Sequence, residues 1–381
     1  MTTCIIKIKS YPLIECIMII LISGCLFKTN AQSEIKIGAY YAGWMQGWYN
    51  NGRLPAEKID FNVVDYVIHF ALFPNADGTF DDQANSIRES NSEAIVKAAH
   101  SAGKKVLISV GGWNSADAFR GATSTFKLIK FVSNLVNFMR ARGYDGIDLD
   151  WEPLELSDAG QYISLTATLR AMMTAAQPGS WLTAANGTQW QIFSRIHQYF
   201  DIINLMTYDL SGPWGGWVTW HNAPLYNGGY EFPGSGGLVP SAAGMAENFI
   251  AAGVPANKIG IGIDFYGYKW QGGSGTSTGG VTEPRQRWTN PPQLFPNIPY
   301  YQIMENFYSP DLYRWDSSAS VPYLQINTSC DWSDKFISYD DERTCKAKVE
   351  YAKKKVVRSF YLGIRCGSSF KFRQPAAYKL Y

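Results

Sequence analysis

Residues 145–152 read Asp-Gly-Ile-Asp-Leu-Asp-Trp-Glu, and this octet governs the reading of the chain. Three of its carboxylates alternate with large apolar side chains. In a β-strand, side chains two apart share a face. Asp148, Asp150 and Glu152 are therefore expected on one face, and Ile147, Leu149 and Trp151 on the other. Neighbouring carboxylates repel one another, and each resists burial. A folded chain keeps such a set mainly where the charges do chemistry.

Strand-like apolar runs recur around the octet, at 35–44, 63–73, 105–113, 144–152, 182–186, 202–209 and 259–266. Helical patterns fall between most of them, at 92–102, 126–142, 159–176 and 241–252. In the second of these, Leu128, Phe131, Val132, Leu135, Val136 and Met139 repeat at helical spacing. Strand–helix alternation argues for a parallel sheet in an α/β fold. Seven such units point to a (β/α)8 TIM barrel rather than an open sheet. The runs end on polar or aromatic residues, among them Trp44, Trp113, Glu152, Asn186, Asp209 and Tyr266. Barrel active sites lie at the C-terminal strand ends, so Glu152 stands where a catalytic group belongs. The stretch 271–335 breaks the alternation and is rich in Gly, Pro, Ser and aromatic residues. It is expected to form a small α+β insertion between strands seven and eight. The barrel then takes 34–270 and 336–381, with a helix over 340–354 leading into the last strand.

The first 31 residues carry the marks of a signal peptide. Lys7 and Lys9 precede an apolar core at 16–27, and Thr29-Asn30-Ala31 offers a small-residue cleavage site. A secreted or extracytoplasmic product is expected. The alternative is a lipid anchor on Cys25, because Ile22-Ser23-Gly24-Cys25 resembles a bacterial lipobox. The apolar run is too short for a membrane-spanning helix. Residues 1–31 contain three lysines and one glutamate, so their removal leaves a chain of balanced charge. Nothing in that balance suggests a nucleic-acid partner. Charged residues make up only 17% of the chain and aromatic ones 15%, which suits exposed ring platforms for sugars beside a majority of core rings. Cys330, Cys345 and Cys366 follow the leader; an odd count gives no disulfide framework, although a Cys330–Cys345 bridge remains open. The four histidines, His69, His100, His197 and His221, have no metal-ligand spacing. No metal, no cofactor and a monomer are expected.

The octet resembles the D-x-x-D-x-D-x-E signature of glycoside hydrolase family 18, the chitinases, here of the secreted bacterial type, at Asp145, Asp148, Asp150 and Glu152. Other segments resemble the same family in order. Ser109-Val-Gly-Gly112-Trp113 is similar to its third-strand motif, and Met206-Thr-Tyr208-Asp209 to its sixth. His221-Asn-Ala-Pro-Leu225, Phe265-Tyr-Gly267 and Phe336-Ile-Ser-Tyr-Asp-Asp341 follow. The resemblance spans roughly residues 35–357. It implies hydrolysis of β-1,4-linked N-acetylglucosamine polymers by substrate-assisted retention, outside the usual two-carboxylate scheme. It implies Glu152 as the acid, Asp150 holding the acetamido N–H, Asp148 sharing a proton with Asp150, and Tyr208 on the acetamido oxygen. Asp209 would assist at the same sugar, and Asp145 would serve the structure. Tyr41, Phe70, Gly112, Trp113, Met206, Trp214 and Tyr266 would line the sugar groove. Where many members carry Arg after F-Y-G, this chain has Tyr268. The partner implied is chitin or a chito-oligosaccharide. An endo-β-N-acetylglucosaminidase acting on N-glycans and a chitin-binding lectin are the alternatives; Glu152 argues against the second.

The chain departs from the family at its end. The eighth strand usually resembles G-G-x-x-x-W-E-L, but residues 358–366 read Arg-Ser-Phe-Tyr-Leu-Gly-Ile-Arg-Cys. The codons AGG AGT TTT TAT CTG GGA ATT AGG TGC encode these residues. Read one base later, they give Gly-Val-Phe-Ile-Trp-Glu-Leu-Gly. A frameshift near codon 357 or 358 would thus account for residues 358–381. Phe360, Tyr361, Leu362 and Ile364 are β-prone and can still pair as a strand. The family's tryptophan under the reactive sugar would be missing.

Overall fold

The computed structural model describes residues 35–46, 54–355, 357 and 359–363. The proposed leader at 1–31, Cys25, Cys366 and most of the frameshift segment lie outside the described residues.

Eight parallel strands form the central sheet. They are β1 (Lys36–Ala42), β2 (Tyr66–Pro74), β3 (Lys105–Gly112), β4 (Gly146–Trp151), β5 (Trp181–Asn186), β6 (Ile202–Leu205), β7 (Ile259–Asp264) and, after the insertion, Ser359–Gly363. Each pairs with the next, and β1 pairs with both β2 and Ser359–Gly363, so the sheet closes on itself. This is the expected barrel. Ser359–Gly363 lies in register between β7 and β1, so the backbone there completes the ring.

Burial separates the two faces of the strands. Ile147, Leu149 and Trp151 of β4 join the apolar layer between sheet and helices, where Phe131, Val132, Leu135, Val136 and Met139 of the helix Leu128–Ala141 also pack. Trp151 stacks on Phe119 with ring centroids 4.7 Å apart. A smaller cluster fills the barrel interior, built from Tyr40, Tyr66, Ile68, Leu107, Ala185 and Ile202. The helices follow their sequence signals. Ser241 caps Ala242–Ala251 by accepting the Gly244 N–H at 3.2 Å.

The insertion is a five-stranded antiparallel sheet of β8 (Tyr266–Gln271), β9 (Gln293–Pro299), β10 (Tyr313–Asp316), β11 (Val321–Ile326) and β12 (Lys335–Tyr339), with a helix at Tyr300–Asn306. This sheet reaches beyond 271–335 on both sides. Only Phe265 separates β7 from β8, so the run read as one strand over 259–266 is a barrel strand plus the first residue of the insertion sheet. Cys330 and Cys345 are both free thiols, so they do not bridge. The loop after β6 is fastened to the insertion by a buried cluster. His221 Nε2 lies 3.0 Å from Asp316 Oδ2, and Arg285 Nη1 reaches the same oxygen at 2.6 Å.

Candidate active site

A cavity of about 340 Å³ opens at the C-terminal ends of the barrel strands. Its lining includes Asp150, Glu152, Tyr208 and Asp209, with Phe70, Gly112, Trp113, Met206 and Tyr266 around them. Nine of the residues expected from the sequence therefore meet in one place. Asp148 lies one layer deeper and is fully buried. The alternation of β4 explains this arrangement: its polar face points into the barrel, and each step of two residues climbs toward the mouth.

Three hydroxyls hold Asp148. Tyr40 Oη donates to Oδ2 at 3.0 Å, Ser109 Oγ donates to Oδ2 at 2.9 Å, and Thr183 Oγ1 donates to Oδ1 at 2.5 Å. Burial nevertheless pushes its pKa up from 3.8 to about 6, with the three donors pulling the other way. Tyr40 itself is kept protonated by burial and by the charges of Asp148 and Asp150. Glu152 is held at the backbone: its N–H donates to Ser115 Oγ at 3.2 Å, and its carbonyl accepts from Ala116 N–H at 3.1 Å. Asp145 sits apart from the cavity, at the start of β4. It accepts from Val106 N–H at 2.8 Å and lies 2.9 Å from His100 Nε2, a bracing role between strands.

Backbone geometry shapes the wall beside Asp150. Gly111 and Gly112 have φ of 117° and 104°, where side chains are strained. A Cβ on Gly112 would stand 2.8 Å from Phe70 Cζ, and one on Gly111 would strike the Asp150 carbonyl. Asp209 is gripped on one carboxylate oxygen by two phenols: Tyr266 Oη donates at 2.8 Å and Tyr268 Oη at 2.7 Å. Tyr268, the departure from the family pattern, thus faces Asp209.

Two expected groove residues lie elsewhere. Tyr41 is buried on the outer face of β1, donates to the Leu54 carbonyl and leans on His69. Its neighbour Tyr40 is the inward residue, because adjacent strand positions face opposite ways. Trp214 is exposed on the loop after β6 and packs on Trp217, with centroids 4.4 Å apart; it is not part of the cavity lining. Sequence reasoning missed Tyr40, Trp44, Phe73, Asn85, Gly111 and Ala185, all of which line the cavity. The aromatic ends of the first two runs carried a signal for Trp44 and Phe73. No motif marked Asn85 or Ala185.

A closed barrel with an acid-bearing fourth strand and an aromatic cleft at its mouth defines a glycoside hydrolase architecture. The model of glycosyl hydrolases family 18 matches residues 36–360, and the chain belongs to that family. It is 32% identical to Chitinase A1 of Niallia circulans over 288 residues, 66% of this chain and 39% of that protein. It is 28% identical to a probable endochitinase of Caenorhabditis elegans over 344 residues, 83% of this chain and 53% of that protein. The chain spans from 39% to 62% of the length of such curated relatives. Among solved structures, it is similar to the Group IV chitinase of Ostrinia furnacalis in complex with allosamidin. The TM-score is 0.71 at 22% identity, covering 87% of this chain and 92% of that one.

Proposed function

We propose that the protein hydrolyses β-1,4 bonds between N-acetylglucosamine units of chitin or chito-oligosaccharides, with retention of configuration. The observation that carries this is the convergence of Asp150, Glu152, Tyr208 and Asp209 on one aromatic-walled cleft, with Asp148 buried behind them. Glu152 protonates the departing glycosidic oxygen. The substrate's acetamido carbonyl attacks the anomeric carbon and closes an oxazolinium ion. Asp150 holds the acetamido N–H and balances the positive charge, and Asp148 exchanges a proton with Asp150. Tyr208 donates to the acetamido oxygen, and Asp209 binds the same sugar. Glu152, now a carboxylate, draws a proton from water, which reopens the ring. The scheme calls for no metal and no organic cofactor. A protein that acts as a monomer outside the cytoplasm, after loss of residues 1–31, fits this substrate.

The supporting experiment sets chitohexaose against an N-linked glycan. Cleavage of the first with the β-anomer formed initially supports the proposal. Cleavage of the glycan alone supports the endo-β-N-acetylglucosaminidase reading, and tight chitin binding without cleavage supports the lectin-like one. The sequence at 358–366 favours attention to the last of these, since an out-of-frame eighth strand lacks the family's Trp. The nucleotide sequence decides that point: codons unable to give Trp-Glu one base later rule the frameshift out.

A further inference from the structure

Behind Asp209 lies a buried polar chain that the reaction scheme does not use. Asp209 has φ of 58°, in the left-handed region that Asp tolerates better than most residues. Asn222 holds this turn and is fully buried. Its Oδ1 accepts from Asp209 N–H at 3.1 Å, and its carbonyl accepts from Leu210 N–H at 3.0 Å. Its own N–H donates to Ser338 Oγ at 3.0 Å, and its amide nitrogen donates to Asp264 Oδ2. Each polar group of Asn222 is thus committed, and two of its bonds fix the backbone that aims Asp209.

Asp264 ends β7, and its buried carboxyl faces that of Asp340. Asp340 in turn pairs with Lys348 Nζ, from the helix Glu342–Lys355. Asp264, Asp340 and Lys348 are all buried. Two ionised carboxylates and one ammonium would leave a net negative charge in the interior, at high cost. Moreover, Asp264 Oδ1 and Asp340 Oδ1 each lack a donor among the described residues. Two carboxylate oxygens cannot hydrogen-bond without a proton. A single proton shared by the two carboxyls neutralises the cluster and supplies the donor they lack.

We infer that Asp264 is a carboxylic acid in the working protein, donating to Asp340, and that Lys348, Asp340, Asp264 and Asn222 form a chain of positioning residues that aims Asp209 into the cleft. This rests on the proposed role of Asp209 at the sugar. Burial, then the neighbouring Asp340 charge, raises the Asp264 pKa well above the ordinary carboxylate value, while Lys348 opposes them. The other titratable groups facing the cluster are Asp209 and Tyr266 from the cleft side and Asp341 and Cys345 from the side of the helix. The inference links the helix before the last strand to the reacting sugar through four side chains.

The test is a double-mutant cycle on chito-oligosaccharide hydrolysis, with folding checked by circular dichroism and melting. Asn222→Ala and Asp209→Asn should each lower kcat, by up to about 10²-fold for a misaimed group. The double variant should be no slower than Asp209→Asn alone, because Asn222 acts through Asp209. Fully additive losses would overturn the inference. Asp264→Asn supplies a second arm that tolerates a folding failure of Asn222→Ala. Its amide can accept from Asn222 and donate to Asp340, as the protonated acid does. Asp264→Asn should recover at least about tenfold in kcat over Asp264→Ala, a difference of about 1.4 kcal/mol. It should also lack the alkaline decline that loss of the shared proton imposes on the wild type. Equal defects in Asp264→Asn and Asp264→Ala would refute the acid. A silent Asp209→Asn beside an inactive Glu152→Gln would instead remove the role of Asp209 while leaving the hydrolase reading intact.

Discussion

Replacing Asp148 by Asn should make the protein's stability respond differently to pH. Asp148 is fully buried, and its folded pKa is about 6 against an ordinary 3.8, with burial as the main cause. Between those two values the folded chain keeps a proton that the unfolded chain has released. Stability contributed by this group therefore falls as pH rises through the window, and the loss is complete above about pH 6. A shift of this size corresponds to about 3 kcal/mol. Asn cannot titrate, so Asp148→Asn avoids that loss. Its amide meets the hydroxyls of Tyr40, Ser109 and Thr183 less well, which adds a cost that does not vary with pH. The difference in unfolding free energy, variant minus wild type, should thus grow by about 3 kcal/mol in favour of the variant from about pH 3 to about pH 7. Urea unfolding at a series of pH values measures it. A difference flat across that range would show that the Asp148 pKa is not raised. A difference of opposite slope would show that the three hydroxyl donors outweigh burial.

Other perturbations test the walls of the site. Gly112→Ala should lower kcat/KM about tenfold or more, because its φ of 104° disfavours a side chain and the new methyl would press on Phe70; steady-state kinetics on a chito-oligosaccharide read this directly. Trp113 lines the cleft with 60% of its surface exposed, so Trp113→Ala should cost about 1 kcal/mol of ring contact and raise KM about fivefold with little change in kcat. Arg285→Met should cost about 3 kcal/mol of stability by taking the guanidinium from Asp316 and leaving it only His221 and the neutral donors of Ser318 and Ala319, since burial disfavours that charge and these partners together hold its pKa far down; thermal unfolding measures the loss.

The acidic octet was legible because a strand repeats every two residues and its two faces differ so plainly in polarity. The order Asp148 deep, Asp150 and Glu152 toward the mouth follows from that period alone. Tyr40 and Tyr41 show where the same logic stops. Both are tyrosines, so only the register that sets Tyr40 beside the inward Ile68 of the neighbouring strand decides which faces Asp148. The start of the insertion was hidden for a similar reason. Phe265-Tyr-Gly continues an apolar run without a turn signal, yet β7 ends at Asp264 and Tyr266 already belongs to another sheet. The chain behind Asp209 joins residues from 209 to 348, and no local pattern ties an Asn in a loop to a Lys in a distant helix. Lys348 could be read from sequence only as one charge in a run of lysines, the others being exposed.

The central claim is that Glu152 supplies the proton that breaks the glycosidic bond. Release of 4-methylumbelliferone from a chitobioside substrate tests it most directly, comparing the wild type with Glu152→Gln at equal folded concentration. The predicted result is release by the wild type and none above background by the variant, because Gln keeps the shape of Glu but has no proton to give. Equal release from the two proteins would contradict the account and move the acid away from the end of β4.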